Sequence, residues 1–297
     1  MRLGTRASPL ALAQTEMVIN ALKGREPNLA IEIVPITTSG DTYQSGPLSD
    51  LGGKGLFIKE LQESLLSGSI DFAVHSAKDM ETFIPETFDH RAALERGPVE
   101  DVFVSNRVKH FQDLPQGAIV GTSSLRRGAI LLNLRPDFNI KVLRGNVATR
   151  LKKLDGGEYD GIILARAGLE RMSLKERITQ ILPVELMAPS AAQGILAVEF
   201  LKNRLDIAQL IDGLVHEPTA TSLFLERAFL AQVDGTCHTP IGCYTKICDD
   251  LVEFYGVCAT IDGRLIKKES AVYPKDQALK AITDQGKTFK QWLESNT

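Results

Sequence analysis

A chain of 297 residues with 43% hydrophobic content can bury cores for about two domains, or three small ones. Lys+Arg (34) and Asp+Glu (37) nearly balance, so no global field recruits nucleic acid or an anionic membrane, and an anion site must gather its charge locally. The amino-terminal MRLGTRASPLALAQTE has no secretory apolar core, because Glu16 interrupts it, and no apolar run elsewhere has bilayer length. The expectation is a cytoplasmic protein with neither nucleic acid nor membrane as partner.

Up to about residue 190, short β-rich runs alternate with longer helical ones, the pattern of a mostly parallel sheet with covering helices. Strands are predicted at 31–38, 71–75, 101–105, 118–122, 140–144 and 159–166, and another begins within 190–200. Helices are predicted at 9–23, 57–67, 124–134, 147–155 and 166–171. Residues 39–55, SGDTYQSGPLSDLGGKG, show no clear period and read as a lid-like loop. After residue 217 the pattern changes to a helix (218–232), three strands (242–248, 251–261, 264–272) and a terminal helix (275–294). Asp262-Gly263 marks a hairpin between the last two strands.

Four times a strand passes through a Gly/Ser/Thr turn into a helix with a basic residue at the junction. In LGTRASPLALAQ, Ser8 suits the N-cap, Pro9 the first helical position, and Arg6 sits just before them. GGKGLFIKEL places Lys54 before its helix. VGTSSLRRGAIL puts Arg126 and Arg127 in a first turn, after Ser123 or Ser124 as cap. VLRGNVATRLKKL has Arg144 before the turn and Arg150 inside the helix. Helix N-termini attract anions, so cations there are poorly placed unless something negative comes. A single arginine reads rather as a solvated surface charge; four such junctions together favour a shared anion site. The guanidinium fork favours carboxylates, and GGKG lacks the spacing of a nucleotide-binding loop.

DFAVHSAKDM ends an apolar strand in Ser76, Lys78 and Asp79, at the strand end where open α/β sheets bind ligands. Asp79 can stabilise a developing positive charge, or it forms an ordinary loop pair with Lys78. The four cysteines, Cys237, Cys243, Cys248 and Cys258, show no CxxC spacing, so no metal site is expected. The last three fall in strand patterns and read as small hydrophobes. Cys237 lies in the Gly-flanked QVDGTCHTPIG, an accessible loop, although taken alone the position favours a structural role over a reactive one.

TRASPLALAQ, GGKGLFIKEL, DFAVHSAKDM, VGTSSLRRGAILL, LRGNVATRLKKLDGGEYDGIILARAGLERM and DGTCHTPIG, in this order, resemble the hydroxymethylbilane synthase (porphobilinogen deaminase) family from the first residues to about 245. The resemblance implies a transferase of porphyrin and haem biosynthesis that joins four porphobilinogens head to tail into linear hydroxymethylbilane, releasing ammonia. It implies an α/β fold of three domains. Two lobes resemble periplasmic binding proteins and enclose a cleft, and a small α+β domain with a three-stranded sheet follows. The corresponding boundaries are 1–95 with 190–213, 99–189, and 217–297. A covalent dipyrromethane cofactor is implied on Cys237, through a thioether, as primer.

Asp79 then resembles the catalytic carboxylate that stabilises the cation formed on ammonia loss. Lys78, Ser124, Arg126, Arg127, Arg144 and Arg150 match cofactor-binding positions. Arg6, Ser8, Lys54, Phe57, Arg171 and Gln193 match substrate-binding ones. Partners implied are porphobilinogen and polypyrrole intermediates, each pyrrole bearing an acetate and a propionate, and a monomer is expected. The chain departs from the family pattern at Ser39, Asp50, Glu81, Ala192 and Thr236. Two rivals remain open from the residues alone. One is a two-lobed solute sensor without chemistry; the other is an enzyme using Cys237 and His238 as nucleophile and base, which extended geometry disfavours because neighbours point apart.

Overall fold

Residues 1–42, 58–233 and 239–296 are described in the computed structural model, 41 and 42 by their backbone alone. The first sheet is built from β1 (Arg2–Arg6), β2 (Glu32–Ile36), β3 (Phe72–Ser76), β4 (Phe88–Ala93) and, from much later in the chain, β10 (Leu196–Leu201), in the order β2-β1-β3-β10-β4. The second uses β5 (Asp101–Val104), β6 (Ile119–Gly121), β7 (Asn139–Lys141), β8 (Gly161–Ala165) and β9 (Gln180–Leu182), in the order β7-β6-β8-β5-β9. Helices α1 (Pro9–Arg25), α2 (Ser39–Thr42), α3 (Lys59–Leu66) and α7 (Leu205–Asp212) belong with the first sheet. Helices α4 (Leu125–Leu134), α5 (Val147–Asp155) and α6 (Arg166–Arg171) belong with the second.

Both sheets are mostly parallel, as expected: four of five strands run one way in each, and a single strand, β10 or β5, runs against them. β1 pairs in parallel with β2 and β3, and β6 with β7 and β8. β10 runs antiparallel to β3 and β4, and β5 to β8 and β9. The two antiparallel strands are those that follow a crossing from one lobe to the other. They therefore enter their sheets from the opposite end. Interiors are otherwise as the apolar strands demand: Phe72, Val74, Val198 and Phe200 close one core with Val18 and Leu22 of α1. Phe103, Val120 and Ile163 close the other with Ile130 and Leu131 of α4.

The carboxy-terminal part is α8 (Glu217–Val233), β11 (Ile241–Cys248), β12 (Leu251–Ala259), β13 (Ile266–Pro274) and α9 (Lys275–Asn296). Its three strands form a separate antiparallel sheet, β11-β12-β13. Phe229, Phe254 and Phe289 meet in its core, ring centroids 5.2–5.4 Å from Phe229, in the tilted and edge-on arrangements aromatic quadrupoles favour. The predicted hairpin at Asp262-Gly263 lies in the loop joining β12 to β13. Gly263 has φ of 70°, and a Cβ there would lie 2.4 Å from the Ala129 carbonyl oxygen of α4, so the tip docks on that helix only as glycine. Asn133 Nδ2 donates to the Gly263 carbonyl at 2.9 Å. Cys243 and Cys258 are buried apolar thiols as expected, and burial pushes Cys258 up to about 12. Cys248 differs: it is half-buried at the end of β11, with Sγ 3.6 Å from Glu253 Oε1.

Candidate active site

The predicted residues collect where both sheets end. In the first sheet, β1 and β3 run parallel, so Arg6 and Ser76 leave the same edge. A 3-10 turn, Ala77–Asp79, then carries Lys78 and Asp79. Ser8 caps α1 by accepting from Ala11 N at 3.3 Å, with Pro9 as first helical residue, both as predicted. Gln14 of α1 donates to Ser76 Oγ at 2.8 Å and ties that helix to the turn. In the second sheet the parallel strands β6, β7 and β8 deliver the other cations from their carboxyl ends. Ser124 caps α4, accepting from Arg127 N at 3.4 Å, and so sets Arg126 and Arg127 in the first turn. Arg144 follows β7. Arg150 lies in α5, capped by Asn146, and its Nε donates to the Gly145 carbonyl at 2.7 Å. The two lobes approach here: a Cβ on Gly168 of α6 would stand 3.7 Å from Leu10 Cδ2 of α1.

Arg126 and Arg127 are buried rather than solvated, and the anion at their junction belongs to the chain itself. Asp101, wholly buried at the start of β5, accepts from Arg126 Nη2 at 2.7 Å through Oδ2 and from Arg127 Nη2 at 2.5 Å through Oδ1. Arg126 also donates to the Ala188 carbonyl at 2.6 Å, and Arg127 to that of Ile163 at 3.3 Å. Gln193 Nε2 donates to Asp101 Oδ1 at 2.9 Å and to the Val99 carbonyl at 2.7 Å. Its Oε1 accepts from Lys78 Nζ at 3.2 Å. Burial works to raise the Asp101 carboxyl. The two guanidiniums, with hydrogen bonds from Arg127 and Gln193, overcome it and hold the group well below the usual carboxylate range.

Lys78 is pushed down to about 8, first by burial; Arg127 and Arg126 add to the effect, and Asp79 and Asp101 oppose it. Arg150 falls to about 10, again by burial first, then through Arg127 and Arg144, with Asp79 opposing. These electrostatic couplings link Lys78, Asp79, Arg126, Arg127, Arg144 and Arg150 into one group drawn from both lobes, and the Lys78 hydrogen bond adds Gln193. Arg171 lies at the crossing: its Nη2 donates to the Gly194 carbonyl at 2.6 Å, and burial lowers it to about 10. Lys54, Phe57, Cys237 and His238 lie outside the described residues.

Five cations, Lys78, Arg126, Arg127, Arg144 and Arg150, thus face two carboxylates, Asp79 and Asp101. The buried Nε of Arg127 has no hydrogen-bond partner among the described residues. Such an excess is complementary to a ligand carrying several carboxylates. A dipyrromethane, with an acetate and a propionate on each ring, fits that requirement. Asp101 itself escaped the sequence reading. Its only signal is an acidic residue opening an otherwise apolar strand, DVFV, where an unpaired charge would be prohibitively desolvated.

A family model described as porphobilinogen deaminase, dipyromethane cofactor binding domain, matches residues 1–209, and a second, porphobilinogen deaminase, C-terminal domain, matches 220–290. The chain belongs to the porphobilinogen deaminase family. The porphobilinogen deaminase of Nitrobacter hamburgensis is 47% identical over 264 residues, covering 88% of this chain and 83% of that protein. That of Nitrobacter winogradskyi is 46% identical with the same coverage. Among solved structures, an ABC transporter periplasmic substrate-binding protein from Coxiella burnetii aligns with TM-score 0.46 and 16% identity, over 76% of this chain and 96% of that one. Two family-model segments, one before and one after residue 210, fit the three-sheet architecture of this porphobilinogen deaminase family member: the first spans both five-stranded sheets, the second the three-stranded one.

Proposed function

We propose that this chain condenses four porphobilinogens head to tail into hydroxymethylbilane, with Asp79 as the catalytic carboxylate and Cys237 as the covalent tether of a dipyrromethane. The observation that carries the reading is the meeting of Lys78 and Asp79 from one lobe with Arg126, Arg127, Arg144 and Arg150 from the other. The domain boundaries that go with it are 1–95 with 190–213, 99–189 and 217–297. The porphobilinogen is held by its acetate and propionate. Arg6, Ser8, Arg171 and Gln193 are its proposed contacts, beside Lys54 and Phe57; the arginines around Asp79 take the remaining carboxylates. When bound, the dipyrromethane supplies a nucleophilic pyrrole carbon to which the first substrate is joined.

As ammonia leaves the aminomethyl group of porphobilinogen, positive charge spreads onto that substrate's pyrrole nitrogen. Asp79, the carboxylate coupled electrostatically to both Lys78 and Arg150, accepts the pyrrole N–H and stabilises this charge. Lys78 and the arginines act differently: they neutralise carboxylates and fix the ring's orientation, which converts an encounter into a near-attack geometry. A monomer in the cytoplasm is part of the same proposal; among the described residues no helix is long and apolar enough to cross a membrane.

The test is ammonia release from porphobilinogen by purified protein, with intact mass reporting two pyrrole units on Cys237. Asp79→Asn should fold, keep the added mass, and lose roughly 10²–10³-fold in turnover. Wild-type protein that releases no ammonia refutes the function. A near-normal rate in Asp79→Asn removes that residue from its role.

A further inference from the structure

Asp101 does more than neutralise one arginine. It stands at the first crossing between the lobes, whereas Gln193 stands in the return crossing, where Gly97 N donates to the Gly194 carbonyl at 3.1 Å. Through its two oxygens Asp101 holds one nitrogen of Arg126, one of Arg127 and the amide of Gln193. Gln193 in turn holds Lys78. One carboxylate therefore orients three cations that come from both lobes, and it does so through both crossing segments. Arg126, Arg127 and Gln193 are buried and Lys78 is half-buried, so these side chains have few alternative orientations.

The charges do not cancel. A single carboxylate beside two guanidiniums and an ammonium leaves positive charge for an incoming anion, while the donors stay aimed before any anion arrives. The open edge of Arg127, its Nε, faces none of the described residues' acceptors. Prearranged donors of this kind need no reordering when the ligand binds.

Resting on the function proposed above, we infer that Asp101 is a positioning residue of this site: it presets Arg126 and Arg127 as carboxylate forks and, through Gln193, fixes Lys78 beside Asp79. Two consequences separate this from a merely structural ion pair. Asp101 should influence the ionisation of Lys78, and its loss should affect the reaction more than the binding of substrate.

The first is read without substrate, by trace acetylation of the purified protein across pH with peptide mapping of Lys78. The ammonium faces Asp79, Asp101, Arg126 and Arg127. Asp101→Asn removes a favourable carboxylate and leaves both arginines, so the Lys78 midpoint should fall by about half a unit or more. In the same variant kcat should fall about tenfold or more, since misplaced donors lose the near-attack geometry, while KM for porphobilinogen stays level or falls. An unmoved Lys78 midpoint in folded Asp101→Asn overturns the inference, as does a raised KM with unchanged kcat. If that variant does not fold, Gln193→Leu carries the same reading: it leaves the Asp101 ion pairs with both arginines in place and removes the amide that links Asp101 and the Val99 carbonyl to Lys78. Its midpoint and kcat should both fall, and an unmoved midpoint overturns the inference. Because the labelling needs no turnover, it reports on Asp101 even if porphobilinogen proves not to be the substrate.

Discussion

Replacing Glu226 by glutamine should be among the most disruptive single-atom-scale changes this chain can suffer. Glu226 lies on α8, its side chain fully buried, and faces Arg96, which is only 11% exposed. Five donors converge on the carboxylate: Arg96 Nη1 at 2.6 Å, Arg96 Nη2 at 3.1 Å, Ala192 N at 2.5 Å, Thr245 N at 2.8 Å and Thr245 Oγ1 at 3.1 Å. They come from the first crossing, the return crossing and β11, so this one side chain joins the carboxy-terminal sheet to the junction of the lobes. Arg96 also lies over the Tyr244 ring at 5.0 Å and donates to the Gln193 carbonyl at 2.9 Å.

Glutamine keeps the shape but removes the charge and turns one acceptor into a donor facing other donors. Removing one partner of a buried pair costs about 3–5 kcal/mol, because the other charge remains buried and uncompensated. In a chain of this size that corresponds to a melting-temperature loss of roughly 5–8 °C. Differential scanning calorimetry gives the shift, and hydrogen exchange shows whether loosening begins at residues 96–98, 192–194 and β11. The double variant Arg96→Met with Glu226→Gln removes both charges while keeping an acceptor for the Ala192 and Thr245 donors, and should recover part of the loss. A Glu226→Gln protein melting within about 2 °C of wild type refutes the reasoning. So does a double variant no more stable than the single one.

Two backbone positions beside that contact give opposite expectations. Ala192 has φ of 61°, where a Cβ costs about 1–2 kcal/mol, so Ala192→Gly should be neutral to about 1 kcal/mol stabilising once glycine's freedom in the unfolded chain is subtracted. Gly194 has φ of 88° and a Cβ there would lie 2.4 Å from the Gly97 carbonyl oxygen, so Gly194→Ala should cost about 2 kcal/mol or more, both read by denaturant unfolding. His90 is held down to about 4, by burial first and then by Arg227, against Asp89 and Glu199. The unfolded chain therefore binds a proton near pH 6.5 that the folded chain refuses until about pH 4, so stability should fall as pH drops through that window. Acid titration of unfolding free energy should show the slope, and His90→Gln should flatten it.

Much of the fold was legible because local rules and tertiary demands agree. Ser8 with Pro9, and Ser124, do in the folded chain what N-cap chemistry predicts, and α5 and α6 begin and end at the predicted residues. Strands β4 and β9 and helix α7 went unread. β4 reads FDHRAA, whose charged residues conceal it: Asp89 and Arg91 pair with each other at the strand surface, and His90 faces β10 at Glu199. The one reversed strand in each sheet was not legible for a related reason. Alternation of strand and helix is the same whether a strand enters its sheet from one end or the other, and only the lobe crossings reverse β5 and β10.

Within the site, the sequence by itself determined which side chains are available and on which turns they sit. Lys78 and Asp79 end a buried strand, and Arg126, Arg127, Arg144 and Arg150 flank helix starts, because short-range capping and periodicity place them there. It could not reveal what those cations meet. The basic helix starts were expected to wait for an external anion. The tertiary structure instead gives Arg126 and Arg127 an internal one, Asp101, and links it to Lys78 through Gln193, 92 residues further along. Electrostatic balance depends on distances through space and on burial, and only the two crossings bring these residues within hydrogen-bond reach.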